Sequence, residues 1–233
     1  MKAVILCAGE GTRLKPATET IPKPLLLINN KPILGYIFDS LPEDITEVYL
    51  IIQEKHKHLF EEFLNTIKIK VNILFQDKEK NGSYFALDTA RDFLINEDKF
   101  LVLNGDDIFL KEDLTELVKL DAPAYGLSMK KLDGRYRTCD LDYVNKKIIS
   151  FRMQNEEEKG KDIPCFSGAF TLNKDFFSYV PVYIHTTNSR EGEAGIPHTL
   201  FNSNKQVSFF ILNEWLQINT KEDFEFAQQV LSK

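Results

Sequence analysis

The run Leu6-Cys7-Ala8-Gly9-Glu10-Gly11-Thr12-Arg13-Leu14-Lys15-Pro16-Ala17-Thr18, followed closely by Pro22-Lys23-Pro24-Leu25-Leu26, constrains the fold more than any other stretch of the chain. Lys2 to Cys7 is an apolar, largely β-branched run of strand length that leads into glycine, which predicts the buried first strand of a parallel sheet. The loop that follows starts at the strand's carboxyl end, where open α/β sheets place their ligands. Gly9 and Gly11 let backbone N–H groups turn toward an anion, while Thr12 adds a hydroxyl and Arg13 a planar, permanently charged fork. Lys23 lies between two prolines that fix local φ and bias it toward extended geometry, so its ammonium is aimed with little entropy left to lose. Together these residues are equipment for holding a polyphosphate.

Two better known glycine motifs do not fit. Walker A needs four residues between its first glycine and a Gly-Lys-Ser/Thr ending, and no register here supplies that. A dinucleotide fingerprint starting at Gly9 requires a third glycine where the chain has Leu14.

At 233 residues and 43% apolar content the chain can bury one sizeable core, so one domain, residues 1–233, is expected. A net charge of −6 argues against a nucleic-acid surface. Three cysteines, Cys7, Cys139 and Cys165, lack metal-like spacing and point to a reducing, cytoplasmic compartment. The apolar start is too short for a signal-peptide core and no span approaches membrane length, so no membrane partner is expected. Homo-oligomerisation stays open.

Strands and helices alternate along the chain, the pattern of an α/β fold. Strands are predicted at Lys2–Cys7, Glu47–Gln53, Val71–Phe75, Lys99–Asn104, Ala124–Met129, Lys147–Phe151, Cys165–Leu172 and Gln206–Leu212, and helices near Ile33–Ser40, Lys57–Thr66, Ser83–Leu94, Glu112–Leu120 and Lys221–Leu231. Thr220 followed by Glu222 and Asp223 predicts an N-cap for the last helix. The charged stretch Asn155–Asp162 reads as locally disordered.

The opening run resembles the signature of the sugar-1-phosphate nucleotidylyltransferases, and the resemblance continues in order along nearly the whole chain. Phe100-Leu101-Val102-Leu103-Asn104-Gly105-Asp106-Asp107 is similar to the family's strand ending in Gly-Asp. Arg135-Tyr136-Arg137-Thr138 resembles an Arg-Tyr-Gly-Thr segment of heptose- and mannose-phosphate guanylyltransferases, and Ser167-Gly168-Ala169-Phe170 the later glycine strand. Ser189 to Glu193 resembles an Arg-Gly-Glu turn, and Trp215 to Asp223 the closing segment that enters the last helix.

The resemblance implies a Rossmann-like three-layer αβα sandwich with a mixed, mostly parallel central sheet, its residues 1–110 holding an NTP and 111–233 a phosphorylated small-molecule acceptor. The implied reaction is Mg²⁺-dependent: an acceptor phosphate oxygen attacks the α-phosphorus and pyrophosphate leaves. Arg13 and Lys23 are then the catalytic cations. Leu6, Ala8, Gly9, Gly11, Thr12 and Gly105 line the nucleotide, and Asp106 binds Mg²⁺, which commonly takes one or two carboxylates. Gln76, Gly82 and Ser83 fall where the family surrounds the base, although Gln76 reads equally as an exposed strand-end amide. Gly168 and Glu193 are implied on the acceptor side, Glu193 reading nearly as well as a surface charge.

Three departures from the family pattern fall in the acceptor half and the metal shell. Arg137 stands where relatives carry glycine, Arg152-Met153-Gln154 where they show Glu-Lys, and Gln217 where they carry a carboxylate that can bind Mg²⁺. Arg137 and Arg152, on strands expected to pair as a hairpin, read either as replacements for the lost lysine at the acceptor phosphate or as solvated strand charges. Lys159 or Lys161 could serve instead. The acceptor is accordingly a sugar 1-phosphate or another phosphomonoester, and a nucleotide-binding regulator without catalysis is the contrasting reading.

Overall fold

The computed structural model describes residues 1–77, 79–131, 137–183 and 193–232. In chain order the strands are β1 (Lys2–Leu6), β2 (Leu27–Ile28), β3 (Lys31–Pro32), β4 (Glu47–Ile52), β5 (Lys70–Phe75), β6 (Phe100–Asn104), β7 (Asp107–Phe109), β8 (Ala124–Lys131), β9 (Arg137–Thr138), β10 (Leu141–Asp142), β11 (Lys147–Ile148), β12 (Arg152–Met153), β13 (Asp162–Leu172), β14 (Val207–Ile211) and β15 (Trp215–Gln217). The helices are α1 (Ile33–Asp39), α2 (Lys57–Leu64), α3 (Ser83–Asp88), α4 (Arg91–Leu94), α5 (Lys111–Leu117), α6 (Ile196–Asn202) and α7 (Lys221–Val230).

The main sheet runs β10-β11-β14-β8-β13-β6-β1-β4-β5. Its β5-β4-β1-β6 half is parallel, and β8 and β14 are parallel to each other. Between these sets β13 runs antiparallel to both β6 and β8, which makes the sheet mixed.

Alternation along the strands sends successive side chains to opposite faces. Ala3 and Ile5 join Leu50, Leu101 and Leu103 in one core, packed with Ile33 and Ile37 of α1, Phe60 of α2, Leu114 of α5 and Ala227 of α7. Val4, Ile51, Val102 and Tyr125 face the other way, against Leu87 of α3, Leu94 of α4 and Leu200 of α6. Two helical layers therefore sandwich the sheet, as expected. Ala3, Val4 and Ile5 have no exposed surface, the reason this strand reads as an uninterrupted apolar run.

Several elements differ from the sequence expectation. The helix expected over Ser83–Leu94 breaks at Thr89 and Ala90, where the Thr89 hydroxyl donates to Phe85 O (3.0 Å) and Ala90 opens α4. The strand expected over Lys147–Phe151 shortens to β11, which pairs with β14, and a separate strand just beyond it, β12, pairs with β9. Asn155–Asp162 is ordered: Asn155 and Glu158 form a reciprocal capping box around a short 3-10 turn. The Thr220 cap is present, closed by Asp223. Among the described residues no helix is long and apolar enough to cross a membrane.

Candidate active site

β1 and β6 lie side by side in register, Leu6 opposite Asn104, so the loops that leave them emerge together. Gly105 N–H donates to Leu6 O (2.9 Å), continuing the contact one residue beyond the strands. A Cβ on Gly105 would stand 2.4 Å from Cys7 Sγ and 2.8 Å from Leu6 O. Gly105 thus serves a close backbone approach between the two loops, and that approach sets Asp106 beside the opening motif.

Gly11 adopts the left-handed conformation (φ +61°) that opens the short 3-10 turn Thr12–Leu14. Thr18 closes the loop by donating its hydroxyl to Gly11 O (2.8 Å), and Lys23 Cβ lies 3.2 Å from where a Gly11 Cβ would be. The polyphosphate loop and the Pro-Lys-Pro turn are therefore packed on each other. Gly9 has open space around it, and the Ala8 carbonyl is held by Gln53 Nε2 (2.6 Å).

Lys23 is buried to 7% exposure, yet its ammonium reaches Asp106 Oδ2 (2.6 Å) and Asn219 Oδ1 (3.0 Å). Arg13 Nη2 donates to the same Asn219 oxygen at 3.0 Å. Two cations of the opening run, the Asp106 carboxylate and the Asn219 amide oxygen, from three distant segments, are thus brought together. Arg13, Lys23 and Asp106, picked out from sequence, are brought together; Asn219 is a residue that sequence reading missed. Its backbone N–H donates to Asp223 Oδ2 (3.0 Å) in the first turn of α7, and Ile218 N–H donates to Asp106 O (3.0 Å). The closing segment is pinned to Asp106 on one side and to a helix cap on the other.

Asp107 is fully buried, and the loss of water, reinforced by the neighbouring Asp106 charge, pushes its carboxyl well above the usual carboxylate range. Asp106 is thus the anionic partner of Lys23. Asn104 Nδ2 donates to Asp107 Oδ2 (3.2 Å), and a Cβ on Gly168 would sit 2.0 Å from that same oxygen. Gly168 is thus where β13 makes room for Asp107. Gln217 faces Asp107 across the β7–β15 pair, and Gln217 Oε1 is a buried oxygen without a hydrogen-bond partner among the described residues.

A hard cation such as Mg²⁺ takes oxygen ligands. Asp106 Oδ2 and Asn219 Oδ1 already converge on one cation, the Lys23 ammonium, so the donor set fits. Among the described residues no group of three or more His, Cys, Asp or Glu is placed to hold a metal.

On the base side, Gln76 spends its amide N–H on Lys80 O (2.8 Å), and Ser83 Oγ accepts from Ile196 N–H (3.0 Å). On the acceptor side the expected hairpin forms, but Arg152 pairs with Thr138 and Arg137 with Met153. Residues paired across the ladder share a face, so Arg137 and Arg152 point to opposite faces. Arg137 lies over the Phe151 ring, 5.2 Å from its centroid, beside His198. Burial, then the Arg137 charge, lower the His198 imidazole to a pKa of about 4, and neither ring nitrogen has a hydrogen-bond partner among the described residues.

Arg152 instead closes an ion-pair network with Asp140 (2.8 Å) and Glu158 (2.6 Å), and its bond to Glu158, with the Asn155 N–H, lowers the Glu158 carboxyl to about 2. Of the two readings of Arg152, acceptor grip or strand charge, the two carboxylates on its guanidinium favour the second. Arg152→Ala should leave the acceptor KM within about twofold of wild type while loosening the 155–158 turn; an acceptor KM raised tenfold would return Arg152 to the site. Lys159 is likewise paired, with Glu156 (2.6 Å). Glu193 is half-buried directly ahead of Ala194, and Arg135, Tyr136 and residues 189–192 lie outside the described residues.

An α/β sheet whose strand ends gather two cations and a carboxylate behind a glycine loop defines a class, the proteins that handle anionic phosphates at the carboxyl edge of the sheet. The chain belongs to the nucleotidyl transferase family, whose model matches residues 2–233. It is 33% identical to the bifunctional protein GlmU of Methanocaldococcus jannaschii over 99% of this chain and 54% of that protein. It therefore spans about half the length of that relative. It is also 37% identical to a D-glycero-alpha-D-manno-heptose 1-phosphate guanylyltransferase of Campylobacter jejuni, over 76% of this chain and 78% of that one. The fold is similar to that of a UDP-glucose pyrophosphorylase complexed with UDP-glucose (TM-score 0.80, 19% identity, 99% of this chain and 98% of the other). It is similar too to the inositol-1-phosphate CTP transferase from T. maritima (TM-score 0.78, 18% identity, 98% and 95%).

Proposed function

We propose that the chain is a nucleotidyltransferase that joins an NMP from an NTP to a phosphorylated small molecule, a sugar 1-phosphate in the first instance. The observation that carries this reading is that Arg13 and Lys23 converge on the Asn219 oxygen while Lys23 also holds Asp106. Residues 1–110 hold the nucleotide on the Gly9 to Arg13 loop, and residues 111–233 hold the acceptor, with Arg137 and Glu193 as its ligands. The three free, buried cysteines suit a reducing cytoplasm.

The acceptor phosphate oxygen is anionic at neutral pH, so no general base is needed. It attacks the α-phosphorus in line, the bond from that phosphorus to the bridging oxygen breaks, and pyrophosphate leaves with the electron pair. What the protein supplies is alignment and neutralisation of charge. Arg13 takes the pyrophosphate side. Lys23 exchanges Asp106 for the α-phosphate or the acceptor phosphate, and its buried stem keeps the ammonium in place. Mg²⁺, held by Asp106 with Asn219 Oδ1, would add neutralisation of the triphosphate charge.

The test incubates the protein with Mg²⁺ and each NTP against a panel of sugar phosphates and other phosphomonoesters, and measures pyrophosphate. Release with one pairing is expected, and EDTA should abolish it. Release only with a non-sugar phosphomonoester would fit Arg137 in place of the family's glycine. Retained NTP binding without release in any combination would overturn the enzyme reading in favour of a regulator, for which neutral Gln217 speaks.

A further inference from the structure

The turn Asn81–Tyr84, read from sequence as part of the base site, is bonded to the segment that carries Glu193. Ala194 N–H donates to Asn81 O (2.9 Å) and Tyr84 N–H to Ala194 O (3.0 Å). Ile196, the first residue of α6, donates its N–H to Ser83 Oγ (3.0 Å). Ala194 and Ile196 have no exposed surface. Gly82 holds φ +105°, and a Cβ there would lie 2.2 Å from Ala194 O and 2.5 Å from Ala194 N. The glycine is thus required by the backbone of the opposite segment, independently of any ligand. Beyond the contact, Gly195 N–H donates to Val182 O (3.3 Å) and Val182 N–H to Thr199 Oγ1 (3.0 Å), so the tie continues into α6.

We infer that Asn81–Tyr84 is a strut between the two substrate sites, and that Ser83 is a positioning residue for the acceptor arm 193–199, its hydroxyl holding the first N–H of α6. The inference rests on the proposed division into a nucleotide half and an acceptor half. A nucleotide that orders residues 81–84 orders Glu193 through three hydrogen bonds, and by linkage the acceptor strengthens nucleotide binding by the same factor. Removing the Ser83 hydroxyl leaves the buried Ile196 N–H unpaired, which weakens the tie.

The experiment is amide hydrogen exchange on the full chain, with and without Mg²⁺ and an equimolar mixture of ATP, CTP, GTP, UTP and dTTP. In wild type, nucleotide should slow exchange in the loop 8–14 and, by about tenfold, in 193–202. In Ser83→Ala the loop should stay protected while 193–202 loses most of that gain, and Ser83→Thr, which keeps the hydroxyl, should restore it. Protection of 8–14 with none in 193–202 of wild type would overturn the strut. So would equal protection of 193–202 in Ser83→Ala and wild type. Absence of protection in both segments would overturn the nucleotide reading itself and the strut with it. The wild-type comparison decides even if Ser83→Ala fails to fold.

Discussion

Lys23→Met is expected to lower the rate of pyrophosphate release by about 10²- to 10³-fold, the usual loss when one preorganised donor to a developing charge is removed. Methionine keeps most of the buried stem, so packing against Pro22, Pro24 and the Gly11 loop is largely retained. Asp106 loses its partner at 2.6 Å, but its side chain is 29% exposed and water can replace the ammonium. The thermal midpoint should therefore move by only a few degrees while turnover collapses. Arg13→Ala should act in the same direction with a smaller loss, because Arg13 is exposed and Lys23 still reaches the site. A Lys23→Met rate within fivefold of wild type would remove this lysine from the chemistry.

Gly105→Ala is expected to damage the fold and the site together. The added carbon would meet Cys7 Sγ at 2.4 Å and Leu6 O at 2.8 Å, and one of these obstacles is backbone. Relief requires the ends of β1 and β6 to part, which costs about 3 kcal/mol or more by analogy with overpacked cores. For a chain of 233 residues that corresponds to a fall of roughly 6–12 °C in Tm. Activity should fall further than stability, since the same displacement moves Asp106 from Lys23. Adding Cys7→Ala removes the sulfur obstacle but not the carbonyl, so the double variant should recover part of the loss, a coupling that a double-mutant cycle measures. A Gly105→Ala midpoint within 2 °C of wild type would mean that the two loops yield easily.

Much of the donor half was legible because its chemistry is local. Strand, glycine loop and Pro-Lys-Pro turn fall within one short run, and their residue types state their use. Asn219 was not legible: an asparagine ahead of a capped helix reads as punctuation, and its contact with Arg13 spans 206 residues of chain. The glycines carry a second demand that sequence does not show. Gly82, Gly105 and Gly168 were read as lining substrate, and a side chain at each would also meet Ala194, Cys7 or Asp107 of this same chain.

Arg152 shows a second limit, since a guanidinium beside a lost lysine invites a phosphate until Asp140 and Glu158 are seen to fill it. Helix α6 escaped notice because it is one short element carrying Pro197, which is tolerated only in a first turn. Between residues 137 and 153 the chain forms only the two-residue strands β9 to β12, where periodicity has too few residues to speak.

The contact between Asn219 and the two cations has a consequence for biosynthesis. Residues 13 and 23 leave the ribosome well ahead of residue 219. A nascent chain can pair β1 with β4 and β6 long before the oxygen that gathers Arg13 and Lys23 exists. Until the segment that enters α7 docks, those cations lack their anchor, so nucleotide should not bind to a translating chain as it does to a finished one.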